Sequence, residues 1–189
     1  MTDPVCTRIA LTRLTDYATG DLLEGEAAQV EEHLFSCPAC AARAAELDGL
    51  VRGIGAALRT SSVSGFVTDE ILNRMSRDGL RLRTYVLSPG TVVPCAVWDD
   101  DDLMVTRLRG KFGEASEVTL SQRIGGSEVG RMTSEVLAAQ PGEVIFVAPA
   151  AAVRDLPEVE VELVLTGRRD GEEWPIGRYT LAHGGTRRR

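Results

Sequence analysis

The chain has 189 residues, of which 43% are hydrophobic and 26% charged, an ordinary globular usage that excludes a disordered or collagen-like polypeptide. A net charge of -7 and a pI near 5.0 argue against broad nucleic-acid binding and suit a basic partner. No apolar run approaches the roughly 18 residues of a membrane span, and "MTDPVCTR" lacks the charged start and apolar centre of a secretory signal.

The expected compartment is therefore the cytoplasm. There thiols stay reduced, and clustered cysteines bind metal more often than they pair.

The first 60 residues carry helical periodicity. Ala10, Leu11, Leu14, Tyr17 and Ala18 form one stripe, and Gly20 is a natural C-terminal stop. Leu23, Ala27, Val30 and Leu34 form a second stripe that runs into His33. A third helix is expected to start at Pro38, a residue suited to a first helical position. Its apolar face runs through Ala44, Leu47, Val51, Ile54 and Leu58, with Gly49, Gly53 and Gly55 each weakening it by roughly 1 kcal/mol. "TSSVSG" at 60–65 reads as a loop. "TDEILNRMSRDG" reads as a short helix with Thr68 as N-cap, acids in the first turn and Gly79 at its end.

Beyond residue 81 the period changes to two. Short β-branched segments are separated by Pro89-Gly90, Gly125-Gly126, Pro141-Gly142 and Asp170-Gly171. Seven or eight strands at roughly 10-residue spacing predict an immunoglobulin-like antiparallel β-sandwich, with a small barrel as the alternative. The expected class is α+β. A helical module spans 1–60, a linker with a short helix 61–80, the sandwich 81–185 and a basic tail 186–189.

The chemistry concentrates in "HLFSCPAC". His33, Cys37 and Cys40 follow an H-x3-C-x2-C spacing, which places a histidine on the last turn of one helix and two cysteines at the start of the next. A helix start lowers thiol pKa and favours the thiolate that zinc requires. Three ligands need a fourth. Cys6 is the obvious candidate, because two antiparallel helices would bring it back to the junction; Asp3 and Asp16 are the reserves.

"LTDYATGDLLEGEAAQVEEHLFSCPACAARAAEL" resembles the zinc-binding anti-sigma domain of bacterial transcription regulators. The resemblance rests on Tyr17, Gly20, Asp21 and Leu22 in the turn. It rests also on Val30, Glu31, His33, Leu34, Cys37, Pro38 and Cys40 in the signature, and covers residues 5 to 60. It implies a Zn2+ ion held by Cys6, His33, Cys37 and Cys40. It also implies an anti-sigma factor that sequesters an extracytoplasmic-function-type sigma factor and represses its transcription. The helix at 68–78 would then meet the partner through Ile71, Leu72 and Met75.

Residues 1–60 hold nine acids against five arginines, a net of -4, which favours a basic partner. Release could come through oxidation of the zinc thiolates or through the β-domain. A zinc-stabilised adaptor, whose sandwich docks a protein other than a sigma factor, is the alternative reading.

Elsewhere, the aspartate run in "WDDDDLMV" lacks the alternate spacing and glycine bend of a calcium loop and is expected to be a solvated loop. Cys95 shares a strand face with Val93 and Val97, consistent with core packing. His183 stands without a Ser or Cys nucleophile pattern, and no phosphate loop or paired-carboxylate arrangement occurs, so no enzymatic activity is expected.

Overall fold

The computed structural model describes residues 6, 8–60, 63–135 and 142–187. Asp3, Pro141 and the arginines at 188 and 189 lie outside the described residues. The chain divides into two compact units, Met1–Ala57 with Asp69–Gly79, and Leu58–Thr68 with Leu80–Arg189.

The first unit is helical, with α1 at Leu11–Thr19, α2 at Glu24–Ser36, α3 at Pro38–Thr60 and α4 at Asp69–Arg77. Gly20 ends α1 in the left-handed conformation at φ 88°, and its N–H donates to the carbonyls of Asp16 and Tyr17. At the start of α2, the Glu26 carboxylate accepts from the Leu23 N–H at 3.3 Å, covering one orphan donor. Helix α3 begins at Pro38 and runs through Gly49, Gly53 and Gly55 without a break.

Leu14, Val30 and Ala44 form the buried centre of this unit, with Ile9, Tyr17, Leu22, Leu34 and Leu47 packed around it. Helix α4 carries acids in its first turn and arginines in its last, matching the helix dipole. Its Arg74 donates to the Ala18 carbonyl at the end of α1 and pairs with Asp48 of α3. The hydrogen bond from Arg74 holds the Asp48 carboxyl below its usual range.

The second unit contains two sheets. One has the order β1-β7-β4-β2, built from Gly65–Val67, Glu143–Pro149, Leu103–Arg109 and Leu82–Leu87. The other has the order β3-β9-β8-β5-β6, built from Val92–Trp98, Glu172–Arg187, Val159–Arg169, Glu117–Ile124 and Ser127–Glu135. A short helix α5, Ala150–Arg154, follows β7. The α+β class stands, but the sheets are mixed rather than purely antiparallel. β2 pairs parallel with β4, and β3 pairs parallel with β9. The first parallel pair arises because β3, which separates β2 and β4 in the chain, lies in the other sheet, so β2 and β4 enter theirs in the same direction. The segment read as a linker supplies β1, whose Phe66 meets Phe146 edge-on at 6.3 Å.

Core residues come from both sheets and include Leu87, Val97, Leu108, Leu120, Phe146, Leu165 and Tyr179. Two tyrosines tie the layers through backbone groups. Tyr179 donates to the Arg109 carbonyl at 2.7 Å, and its ring occupies space that a side chain at Gly177 would fill, 2.5 Å from the hydroxyl. The register of β3 against β9 shifts between Cys95 and Val97. Ala96, at that bulge, gives its N–H to the Tyr85 hydroxyl at 2.9 Å and accepts from it through its carbonyl at 2.6 Å. One hydroxyl thus satisfies both ladder groups that the bulge releases. Tyr85→Phe strands both, and an unsatisfied buried backbone group costs about 1–3 kcal/mol. A fall of that size in unfolding free energy, read by urea denaturation, is the expected outcome; a change below about 0.5 kcal/mol would refute the role.

The aspartate run is not a solvated loop. Asp99 is exposed, but Asp101 is only 4% exposed. Arg83 grips Asp101 through Nε at 2.9 Å and an Nη at 3.1 Å, and the Trp98 N–H donates to the same carboxylate at 2.8 Å. The Arg83 guanidinium lies 5.5 Å from the centre of the Trp98 ring. From α5, Arg154 donates to the carbonyls of Trp98, Asp99 and Asp101. Charge alone suggested solvent, whereas arginines distant in sequence order the loop.

Candidate metal centre

The cluster is assembled by a helix break. Pro38 disfavours helical backbone at the residue before it, and Cys37 adopts φ -128°, ψ 97°. Helix α2 therefore stops with His33 on its last turn, and α3 starts at once with Cys40 in its first turn. The Cys37 carbonyl accepts from the Ala41 N–H at 3.0 Å, so Cys37 acts as the N-cap of α3. Cys6, ahead of α1, closes the group.

One donor atom from each of Cys6, His33, Cys37 and Cys40 lies within 4.8 Å of all the others. Cys6 Sγ lies 3.6 Å from His33 Nε2. Zinc–sulfur bonds of about 2.3 Å and zinc–nitrogen bonds of about 2.0–2.1 Å at tetrahedral angles set that edge at about 3.6 Å. The donor set fits a tetrahedral zinc ion. Cys6 takes the fourth place; Asp16 is not part of the group.

Electrostatics distinguish the thiols. The Cys40 backbone N–H at the α3 start lowers the Cys37 pKa, favouring its thiolate. Cys40 is fully buried, and burial with its neighbouring thiols pushes it up to about 11. A zinc ion must displace that proton, and its own charge then compensates the buried thiolates.

Residues 6–41 match the family described as "Putative zinc-finger". Within that matched segment the Cys6, His33, Cys37 and Cys40 cluster fits the zinc-binding motif. The match begins at Cys6 and ends one residue after Cys40, so it spans the four donors of the zinc finger and the two helices between them. A solved structure, the N-terminal domain of phage TP901-1 ORF48, is similar over 55% of this chain and 98% of its own, at 11% identity and a TM-score of 0.35. No curated protein matches the chain.

Of the other residues singled out in the sequence, Leu72 and Met75 are buried and Ile71 is half-buried. Cys95 packs in the sandwich core, as its strand position suggests. His183 is also buried, with Nδ1 3.8 Å from Cys95 Sγ. That pairing was latent in the period-two pattern, since Tyr179, Leu181 and His183 occupy alternate positions of one strand. Near the zinc finger, Leu11, Leu23, Phe35 and Leu50 are exposed, Phe35 to 93%. No helix of the described residues is long and apolar enough to cross a membrane.

Proposed function

We propose that this protein is an anti-sigma factor whose zinc finger binds an extracytoplasmic-function-type sigma factor and withholds it from RNA polymerase. The observation that carries the reading is the closed Cys3His cluster at the α2–α3 junction, within a segment matching a zinc-finger family. Four protein donors complete a tetrahedron, which makes the ion a structural clamp on α2 and α3 with no coordination position for a substrate. In this reading the zinc finger serves to bind a partner.

Two further features support the reading. The helical module has an acidic balance, suited to a partner basic enough to bind DNA. It also exposes large apolar side chains, Phe35 and Leu23 foremost, of the kind that anchor interfaces. Use of Leu72 and Met75 by the partner requires α4 to leave the position in which Arg74 holds it. The Arg74 hydrogen bonds to Ala18 and Asp48 are therefore the restraint to be released.

Co-expression with the sigma factor encoded beside this protein tests the proposal. The expected result is co-purification at equal stoichiometry and repression of that sigma factor's promoter. No complex and an unchanged promoter output would sink it. Capture of a different protein through the sheets would favour the adaptor reading.

A further inference from the structure

The five-stranded sheet ends at β6, which pairs with β5 along one side. An edge strand directs the N–H and C=O of every second residue away from its sheet, a template for one more strand. The other edges are short or closed. β1 has three residues. β3 contains Pro94, which lacks an N–H, and its bulge gives both backbone groups of Ala96 to the Tyr85 hydroxyl. β2 is engaged there in turn, through Tyr85 and through Arg83, which grips Asp101. In β6 the extra residue is Val129, since Gln122 pairs with Gly130 and Arg123 with Glu128. Beyond it, Gly130–Glu135 keeps an unbroken register and contains none of the proline or lysine that blunts edges.

Arg131, Thr133 and Glu135 are exposed and share one face of the sheet, while Met132 turns to the core. In the β5–β6 ladder Glu135 stands opposite Glu117, a like charge, and Arg168 pairs with Glu117 at 2.8 Å. Arg131 stands opposite Ser121. Neither Arg131 nor Glu135 makes an ion pair among the described residues. Their spacing suits one occupant, a second copy of the same strand. Antiparallel pairing about a two-fold axis at Thr133 sets Thr133 against Thr133. It also sets Arg131 of each copy against Glu135 of the other. Opposite charges and threonine pairs directly across strands are both favourable, and the symmetry forms the ion pair twice. Each Glu135 then gains a cation to offset the carboxylate of Glu117.

We propose that β6 is a self-association edge, through which two copies of this protein join their five-stranded sheets into one continuous sheet, antiparallel across Thr133. The inference concerns the β unit alone and stands independently of the sigma-factor reading.

Sedimentation equilibrium of the full-length, zinc-loaded protein tests it. The wild type should show a reversible monomer–dimer equilibrium at concentrations up to about 1 mM, the weak end of specific association. Arg131→Glu and Glu135→Arg should each raise the dissociation constant about tenfold, because each reversal acts at both ion pairs. Glu135→Arg is the sharper variant: it reduces the net charge of -7, which in itself favours association, yet the register requires weakening. Arg131→Glu combined with Glu135→Arg should return the constant to within about threefold of the wild type. Both side chains are exposed, so all three variants fold, which near-UV circular dichroism verifies. A monomeric wild type would leave the edge to a strand of another protein and overturn the proposal. A dimer unmoved by the single reversals, or not restored by the double reversal, would overturn it as well.

Discussion

Cys40→Ser is expected to remove bound zinc and unfold the helical unit while the two sheets keep their own melting transition. The buried apolar centre of that unit is small, consisting of Leu14, Val30 and Ala44 with a ring of half-buried neighbours. A fully buried leucine or valine contributes about 1.5–3 kcal/mol, against about 1.5 kcal/mol of conformational entropy for each ordered residue. Packing of this extent cannot hold three helices with confidence to spare, and a structural zinc ion contributes on the order of 10–16 kcal/mol in small zinc modules. Cys40 is the fully buried donor of the four, so no water can take its place without opening the α2–α3 junction. Serine preserves the volume but its hydroxyl does not ionise to replace a thiolate. Metal analysis should fall from about one zinc per chain to a small fraction of that, and far-UV circular dichroism should lose most of the helical signal. Chelation of the wild-type protein should give the same spectrum. Cys6→Ser should weaken zinc less, because Cys6 precedes α1 and its loss leaves the α2–α3 clamp with three donors. Full zinc content and an unchanged helical spectrum in Cys40→Ser would refute the clamp.

The metal centre was legible because three of its donors are close in sequence and their geometry follows from local rules. Pro38 breaks the helix, and the H-x3-C-x2-C spacing then determines which turns carry the donors. Cys6 required only that two antiparallel helices return the chain to the junction. The short helix α4 was legible from the acids of its first turn and from Gly79 just beyond its end. Strand pairing was a different matter. A period of two reports which face of a strand is buried but not which strand lies beside it, so the parallel pairs β2–β4 and β3–β9 had no local signal. Nor did β1, whose three residues pair with a strand about eighty residues later. The aspartate run was misread for the same reason. Its partners Arg83 and Arg154 lie 18 and 53 residues from Asp101, and neither distance is visible in the composition of the run.

That same loop yields the second large effect, since Asp101→Ala should destabilise the β unit by about 3 kcal/mol. Asp101 is nearly inaccessible, and its carboxylate accepts from both arms of Arg83 and from the Trp98 N–H. Removing one member of a buried pair leaves its partner's charge uncompensated, at about 3–5 kcal/mol. Arg83 retains 27% exposure of its side chain, so water recovers part of that cost and the lower end applies. The expected fall in melting temperature is roughly 10 °C. Asp101→Asn should cost less, because the amide can still accept from the Trp98 N–H although it loses the bidentate charge pairing. The decisive measurement is a double-mutant cycle with Arg83→Met. If the pair is the source of the effect, the double variant is less destabilised than the sum of the singles, with a coupling of at least about 1 kcal/mol. Additive losses would mean that Asp101 acts through groups other than Arg83, the Trp98 N–H among them, and not through a buried ion pair.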